Sequence, residues 1–179
     1  MIKWNKNNTP SELHPMLIEF GKYYAIEEAE NANTNFIKEN SDTIHSVCKK
    51  NGDSWEITYT NITTAARGIG SALSGIEADE TTSFKNLGVM LDCSRNKVFN
   101  LDYLKAWLRK MALMGNNLVM LYTEDTYELE GEPFFGYMRG RYTKEELKDV
   151  LAKGFGVKEV TINDELDTYN KVQVVKIYN

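Results

Sequence analysis

The sequence predicts an α/β protein in two parts: a small α+β unit over residues 1–75 and a parallel sheet with crossover helices over 87–179. Three observations carry this. Asn51-Gly52 joins two segments, Thr43–Lys50 and Asp53–Thr60, in the second of which Trp55, Ile57 and Tyr59 alternate with polar neighbours; that is a β-hairpin with one buried face. From Leu87 onward the rhythm changes to strand, helix, strand, helix, strand, the signature of right-handed parallel crossovers. Between the two parts, residues 76–86 are polar and acidic and read as a linker.

In order along the chain, Pro15 to about Glu30 is expected to be helical. Pro15 would sit in the first turn, where its missing N–H costs nothing, and Leu17, Ile18 and Phe20 would supply apolar contacts. After the hairpin, Asn61 caps a helix with Ile62, Ala65, Ala66, Ile69 and Leu73 at helical spacing, and Ser74-Gly75 ends it. Gly68-Ile69-Gly70 lacks the third glycine and the strand–turn–helix setting of a phosphate loop, so the glycines mark a helix packed at close range. Leu87–Asp92 is a continuous apolar run, expected to be a strand covered on both faces. Asn100 caps a helix carrying Leu101, Leu104, Trp107, Leu108 and Met111, closed by Gly115, and Asn117–Tyr122 is a second buried strand. A long loop, 123–142, leads to a Thr143/Glu146 capping box and a helix with Leu147, Val150 and Leu151 that ends at Gly154. Val157–Ile162 reads as a third strand. The alternation Lys171-Val172-Gln173-Val174, within a tail over Tyr169–Tyr178, reads as a half-exposed edge strand closing the sheet.

Composition narrows the function. The net charge is -5 with acids and bases interspersed, which disfavours nucleic acid, a ligand that rewards clustered Lys and Arg. No basic amphipathic stretch suits a membrane surface, and the longest apolar runs are far too short to span one. The first eight residues have no apolar secretory core, and Cys48 and Cys93 lack close partners; both point to a cytoplasmic protein with reduced thiols. His14 and His45 are the only histidines and lack ligand spacing, so no metal or other cofactor is expected.

In parallel sheets, function gathers in the loops after the strands' C-terminal ends. Those loops are Asp92-Cys93-Ser94-Arg95-Asn96 and Thr123-Glu124-Asp125-Thr126-Tyr127-Glu128. If the strands are adjacent, Asp92, Arg95, Glu124 and Asp125 share a rim with Tyr127, Phe134, Phe135, Tyr137 and Tyr142, a set that suits a sugar's hydroxyls and C–H faces. Plainer readings stand beside this one. Asp92 caps a loop or pairs with Arg95; the acids at 124–128 form a solvated loop or hold Mg²⁺; the aromatics are the loop's own core. Ser94 has no histidine in its stretch and is not read as a nucleophile.

Three linked stretches carry a family resemblance. Leu87-Gly88-Val89-Met90-Leu91-Asp92-Cys93-Ser94-Arg95-Asn96 resembles the first barrel strand of family 20 glycoside hydrolases, with its Gly-x-Met-x-Asp-x-x-Arg pattern. Met111–Asn117 followed by Leu118–Tyr122 resembles the first helix and second strand. Thr123–Glu128 with Glu132–Tyr142 is similar to the loop of one branch of that family. The resemblance implies a truncated (β/α) barrel, a TIM-barrel piece, preceded by the family's small N-terminal domain. It implies an N-acetylhexosamine-containing glycan as partner and a β-N-acetylhexosaminidase reaction, in which the substrate's own acetamido oxygen attacks the anomeric carbon. It makes Arg95 a holder of sugar hydroxyls, Asp92 its structural partner, and Glu124 and Asp125 pocket-lining groups. The family's catalytic Asp-Glu pair, set after a His and Gly on the fourth strand, has no counterpart in context; Asp164-Glu165 comes too early and lacks that setting. Residues 87–179 leave room for about three βα units, against ~250 residues for a closed barrel. The expectation is therefore a hydrolase fragment inactive alone, a non-catalytic carbohydrate-binding module, or an interaction fragment that self-associates through an uncovered sheet edge.

Overall fold

The computed structural model describes residues 1–152, 160–162 and 172–176. The chain opens with β1 (Ile2–Trp4), a 3₁₀ turn at Ser11–Leu13, α1 (His14–Gly21) and β2 (Ile26–Glu28), which pairs in parallel with β1. Helix α1 is shorter than the expected Pro15–Glu30. Past Gly21 the chain folds back so tightly that a Cβ there would lie 2.9 Å from the Ile26 carbonyl oxygen, and Ile26–Glu28 completes a sheet instead of a helix. Leu17 and Phe20 are buried as expected, whereas Ile18 points to solvent.

Next come β3 (Thr34–Lys38), β4 (Ile44–Asn51), β5 (Ser54–Tyr59), α2 (Ile62–Leu73) and β6 (Ala78–Thr82), with sheet order β3-β5-β4-β6. The hairpin forms, with its two central residues one step later than the Asn-Gly pair. Asn51 faces Ser54, so Gly52 and Asp53 make the turn, and Gly52 takes φ +61°. Trp55, Ile57 and Tyr59 are all buried on one face. The stretch 76–86 contains β6, paired antiparallel to β4, rather than forming only a linker; as an edge strand it keeps its polar side chains in water.

Helix α2 packs across this sheet. Asn61 Oδ1 accepts from the Thr64 backbone N–H at 3.0 Å while Thr64 Oγ1 accepts from the Asn61 N–H, closing a reciprocal cap. Its glycines allow two close approaches: a Cβ at Gly68 would sit 2.5 Å from Ile57 Cγ2, and one at Gly70 would sit 2.2 Å from the Leu113 carbonyl oxygen.

The second part holds β7 (Gly88–Asp92), α3 (Leu101–Leu113), β8 (Leu118–Tyr122), α4 (Lys144–Ala152), β9 (Val160–Ile162) and β10 (Val172–Lys176). Strands β7 and β8 are parallel and in register, joined by α3, whose Leu104, Leu108, Met111 and Ala112 pack with Val119 and Leu121 in the core. Beyond β8 the sheet is mixed rather than parallel. Its order is β7-β8-β10-β9, and β10 runs antiparallel to both neighbours, so the tail strand is internal instead of an edge and the third strand is not next to the second. Nor is β7 covered on both faces: Val89 and Leu91 face α3, but Met90 is 59% exposed. Gly154 and Asp164-Glu165 lie outside the described residues.

The two parts share one continuous core. An ion pair welds them: Arg109 Nη1 on α3 donates to Glu19 Oε1 on α1 at 3.2 Å, both side chains under 10% exposed, with the guanidinium 3.5 Å from the Tyr23 ring centroid.

Candidate functional site

The site is fixed by register. Gly88 faces Leu118 and Asp92 faces Tyr122, and the Cys93 N–H donates to the Tyr122 carbonyl at 2.9 Å. The loops after the two strands therefore leave the sheet on the same side. Asp92 Oδ1 accepts from the Ser94 N–H (3.0 Å), Ser94 Oγ (3.0 Å) and the Arg95 N–H (3.1 Å), while Oδ2 accepts from Arg95 Nη1 at 2.7 Å. Asp92 thus caps its own loop and pairs with Arg95, so both of its plainer readings hold. The Arg95 guanidinium and these N–H donors keep the Asp92 carboxyl well below the usual carboxylate range, and Asp92 in turn raises the Arg95 pKa.

The second loop meets the first through Tyr122 and Arg139. Arg95 lies over the Tyr122 ring, 5.5 Å from its centroid, and the Tyr122 hydroxyl donates to Glu124 Oε1 at 2.7 Å, which raises the phenol's pKa. Glu124 itself takes φ +45°, uncommon for a residue with a side chain. Asp125 lies 3.5 Å from Arg139 Nη2, and that same nitrogen donates to the Ser94 carbonyl. Asp92, Arg95 and Glu124 are thus linked through Tyr122, and Asp125 is tied to the Ser94 loop through Arg139.

The aromatics divide. Tyr127 and Tyr142 are buried and bridge one another, and the Tyr142 hydroxyl donates to the Phe99 carbonyl at 2.7 Å, so these two belong to the core rather than to a rim. Phe135 is half-buried. Phe134 and Tyr137 are exposed, their ring centroids 6.4 Å apart. Arg141 Nη1 donates to the Phe135 carbonyl, and Gly136 presses on the Asp125 carbonyl, where a Cβ would stand 2.1 Å away.

Arg95 remains 68% exposed with only Nη1 turned to Asp92, so the guanidinium keeps N–H donors directed at solvent beside acidic acceptors. Such a set can bracket vicinal hydroxyls. It cannot run nucleophilic catalysis through Ser94, which is buried on Asp92 while His14 bonds the Thr9 carbonyl and His45 bonds Glu39. Among the described residues, no group of His, Cys, Asp or Glu could hold a metal, and no helix is long and apolar enough to cross a membrane. Sequence reasoning passed over Tyr122 as a site residue, although its place opposite Asp92 follows from aligning the two strand ends. Arg139 had no signal short of the loop's path.

No family model and no curated protein matches the sequence. Solved structures do. The family 20 exo-β-N-acetylglucosaminidase from Vibrio harveyi, in complex with N-acetylglucosamine, is similar at TM-score 0.62 and 14% identity, over 86% of this chain and 30% of that one. The β-N-acetylhexosaminidase from Bacteroides fragilis is similar at TM-score 0.61 and 15% identity, over 86% and 38%. The family 20 enzyme from Streptomyces coelicolor is similar at 0.57 and 15%, over 86% and 39%. The chain spans well under half the length of each of these three structures, and its fold is similar to the corresponding part of these family 20 enzymes.

Proposed function

We propose that this chain is a β-N-acetylhexosaminidase-like glycoside hydrolase piece, comprising the N-terminal domain and opening strands of a (β/α) barrel, which binds a terminal N-acetylhexosamine and does not hydrolyse it alone. Arg95 donates to the sugar's hydroxyls, Asp92 holds Arg95 in place, and Glu124 and Asp125 line the pocket. The observation that carries this is the in-register pairing of β7 with β8, which brings Arg95, Asp92, Tyr122 and Glu124 to one sheet edge. In substrate-assisted hydrolysis the acetamido oxygen attacks the anomeric carbon, while one enzyme carboxylate orients the acetamido group and a neighbouring one protonates the leaving oxygen. No Asp-Glu pair in the family's His and Gly setting occurs in the 179 residues, so the chain supplies the hydroxyl-holding side of that chemistry.

The test is a titration with N-acetylglucosamine, followed by amide chemical shifts around Ser94, Arg95 and Glu124, alongside turnover of a chromogenic N-acetylglucosaminide. Binding that Arg95→Ala abolishes, without turnover, supports the reading. Binding that survives Arg95→Ala removes the site from this edge. Turnover abolished by Arg95→Ala makes the chain an enzyme in its own right. A second reading, self-association, draws on the outer position of β7 and on exposed Met90. Light scattering reporting a monomer at high concentration rejects it.

A further inference from the structure

We propose a second ligand site, for a compact apolar molecule carrying a single carboxylate, in the cleft between the two parts of the fold. It lies beside the N-terminal ends of β7 and β8, at the opposite end of those strands from Arg95, and does not depend on the sugar reading.

The cleft has a volume of about 300 Å³, at the lower end of the size of small-molecule sites. Phe84, Leu87 and Met114 line it, and all three are exposed, Phe84 by 67% and Met114 by 63%. Large apolar side chains from separate segments left in water around one concavity call for an apolar guest. The walls are preformed. Asn117 Oδ1 accepts from the Leu87 N–H and its Nδ2 donates to the Lys85 carbonyl, both at 2.8 Å, so the segment bearing two of these walls is clamped to β8.

Charge selects the guest's head group. Of the basic side chains in the lining, Arg67 is held by Glu80 through two bonds, Nε to Oε2 at 2.7 Å and Nη2 to Oε1 at 2.6 Å. His45 is held by Glu39 at 2.8 Å and by the Thr43 carbonyl. Lys85 is the remaining basic side chain of the lining and makes no ion pair among the described residues. An ammonium without an ion pair among the described residues, beside apolar walls, fits a monoanion and discriminates against a neutral molecule of the same shape.

The probes are phenylacetate and its neutral isostere phenylacetamide, titrated into the ¹⁵N-labelled chain. Phenylacetate is expected to give saturable shifts at the amides of Thr63, Arg67, Thr82 and Gly115. Phenylacetamide is expected to bind about fivefold more weakly, as for loss of one partly solvated charge-assisted bond. Lys85→Gln, on the surface, brings the two probes within about twofold of each other, and Met114→Asp removes binding while leaving the remaining spectrum in place. Absence of saturable shifts at the cleft overturns the site. Equal binding of the two probes by the unaltered chain, or an unchanged preference in Lys85→Gln, overturns the assignment of the anion. Amides at Ser94 and Glu124 are expected to stay still, which separates this site from the saccharide edge.

Discussion

Replacing Arg109 by Met removes the only charge that α3 directs at Glu19 while keeping most of the side chain's volume. The native pair is 3.2 Å long, with side-chain exposures of 6% for Arg109 and 9% for Glu19. Breaking a pair buried to this degree costs ~3–5 kcal/mol, because the remaining charge is left without compensation. Here the compensation does not vanish entirely: Lys22 Nζ stays 2.7 Å from Glu19 Oε2, although Lys22 is 59% exposed and its attraction is screened. The guanidinium's contact with the Tyr23 face, 3.5 Å from the centroid, is lost as well, worth ~0.5–2 kcal/mol. The expected loss is therefore ~2–4 kcal/mol, or roughly 5–15 °C in melting temperature for a chain of this size. Urea unfolding followed by circular dichroism measures it. Because a buried pair replaced as a unit is often close to neutral, Glu19→Gln combined with Arg109→Met is expected to recover a large part of the loss. A cost below ~1 kcal/mol for Arg109→Met would refute the claim that this pair joins the two parts.

Gly70→Ala drives a methyl group onto the Leu113 carbonyl, where the ideal Cβ distance is 2.2 Å, and is expected to destabilise by ~1–3 kcal/mol or more; unchanged stability would mean that α2 and α3 are not this close. The depressed Asp92 pKa has a definite sign: its interaction with Arg95 is fully present above the ordinary Asp pKa, ~3.9, and is lost as pH falls through the lower folded value. Binding of N-acetylglucosamine at the Arg95 edge is thus expected to hold from pH 7 down to about 5, and a loss near pH 6 would assign control to another group. Burial pushes the Cys48 thiol up to about 11 and raises Cys93 as well, so iodoacetamide at pH 8 is expected to modify neither until the chain is unfolded; mass spectrometry of the native protein checks this. Tyr142→Phe removes the donor to the Phe99 carbonyl and is expected to cost ~1–2 kcal/mol in the same unfolding assay.

The elements that sequence revealed are those whose signals are local. Asn61 and Asn100 cap their helices, Thr143 and Glu146 exchange hydrogen bonds, and the apolar runs at 88–92 and 118–122 are strands, since each signal acts within a turn or two of itself. Long-range pairing was hidden. Ile26–Glu28 has no apolar alternation of its own and becomes a strand through Ile2–Trp4; Ala78–Thr82 is polar yet occupies a sheet edge beside β4. The position of β10 between β8 and β9 depends on pairing with β8, some fifty residues upstream of it, which periodicity does not report. At the site, Asp92 and Arg95 were legible because they follow a strand and lie three residues apart. The split among the aromatics was not, because burial of Tyr127 and Tyr142 against exposure of Phe134 and Tyr137 is decided by how one loop folds on itself.

The far flank of β8 carries a single row of backbone donors and acceptors, and Val172–Lys176 already occupies it head to tail. A parallel newcomer, Val160–Ile162 included, would require eviction of that segment before it could dock there. Parallel extension of the sheet at β8 and its present ordering are consequently mutually exclusive. Any stretch of polypeptide that wins the flank of β8 decides between them.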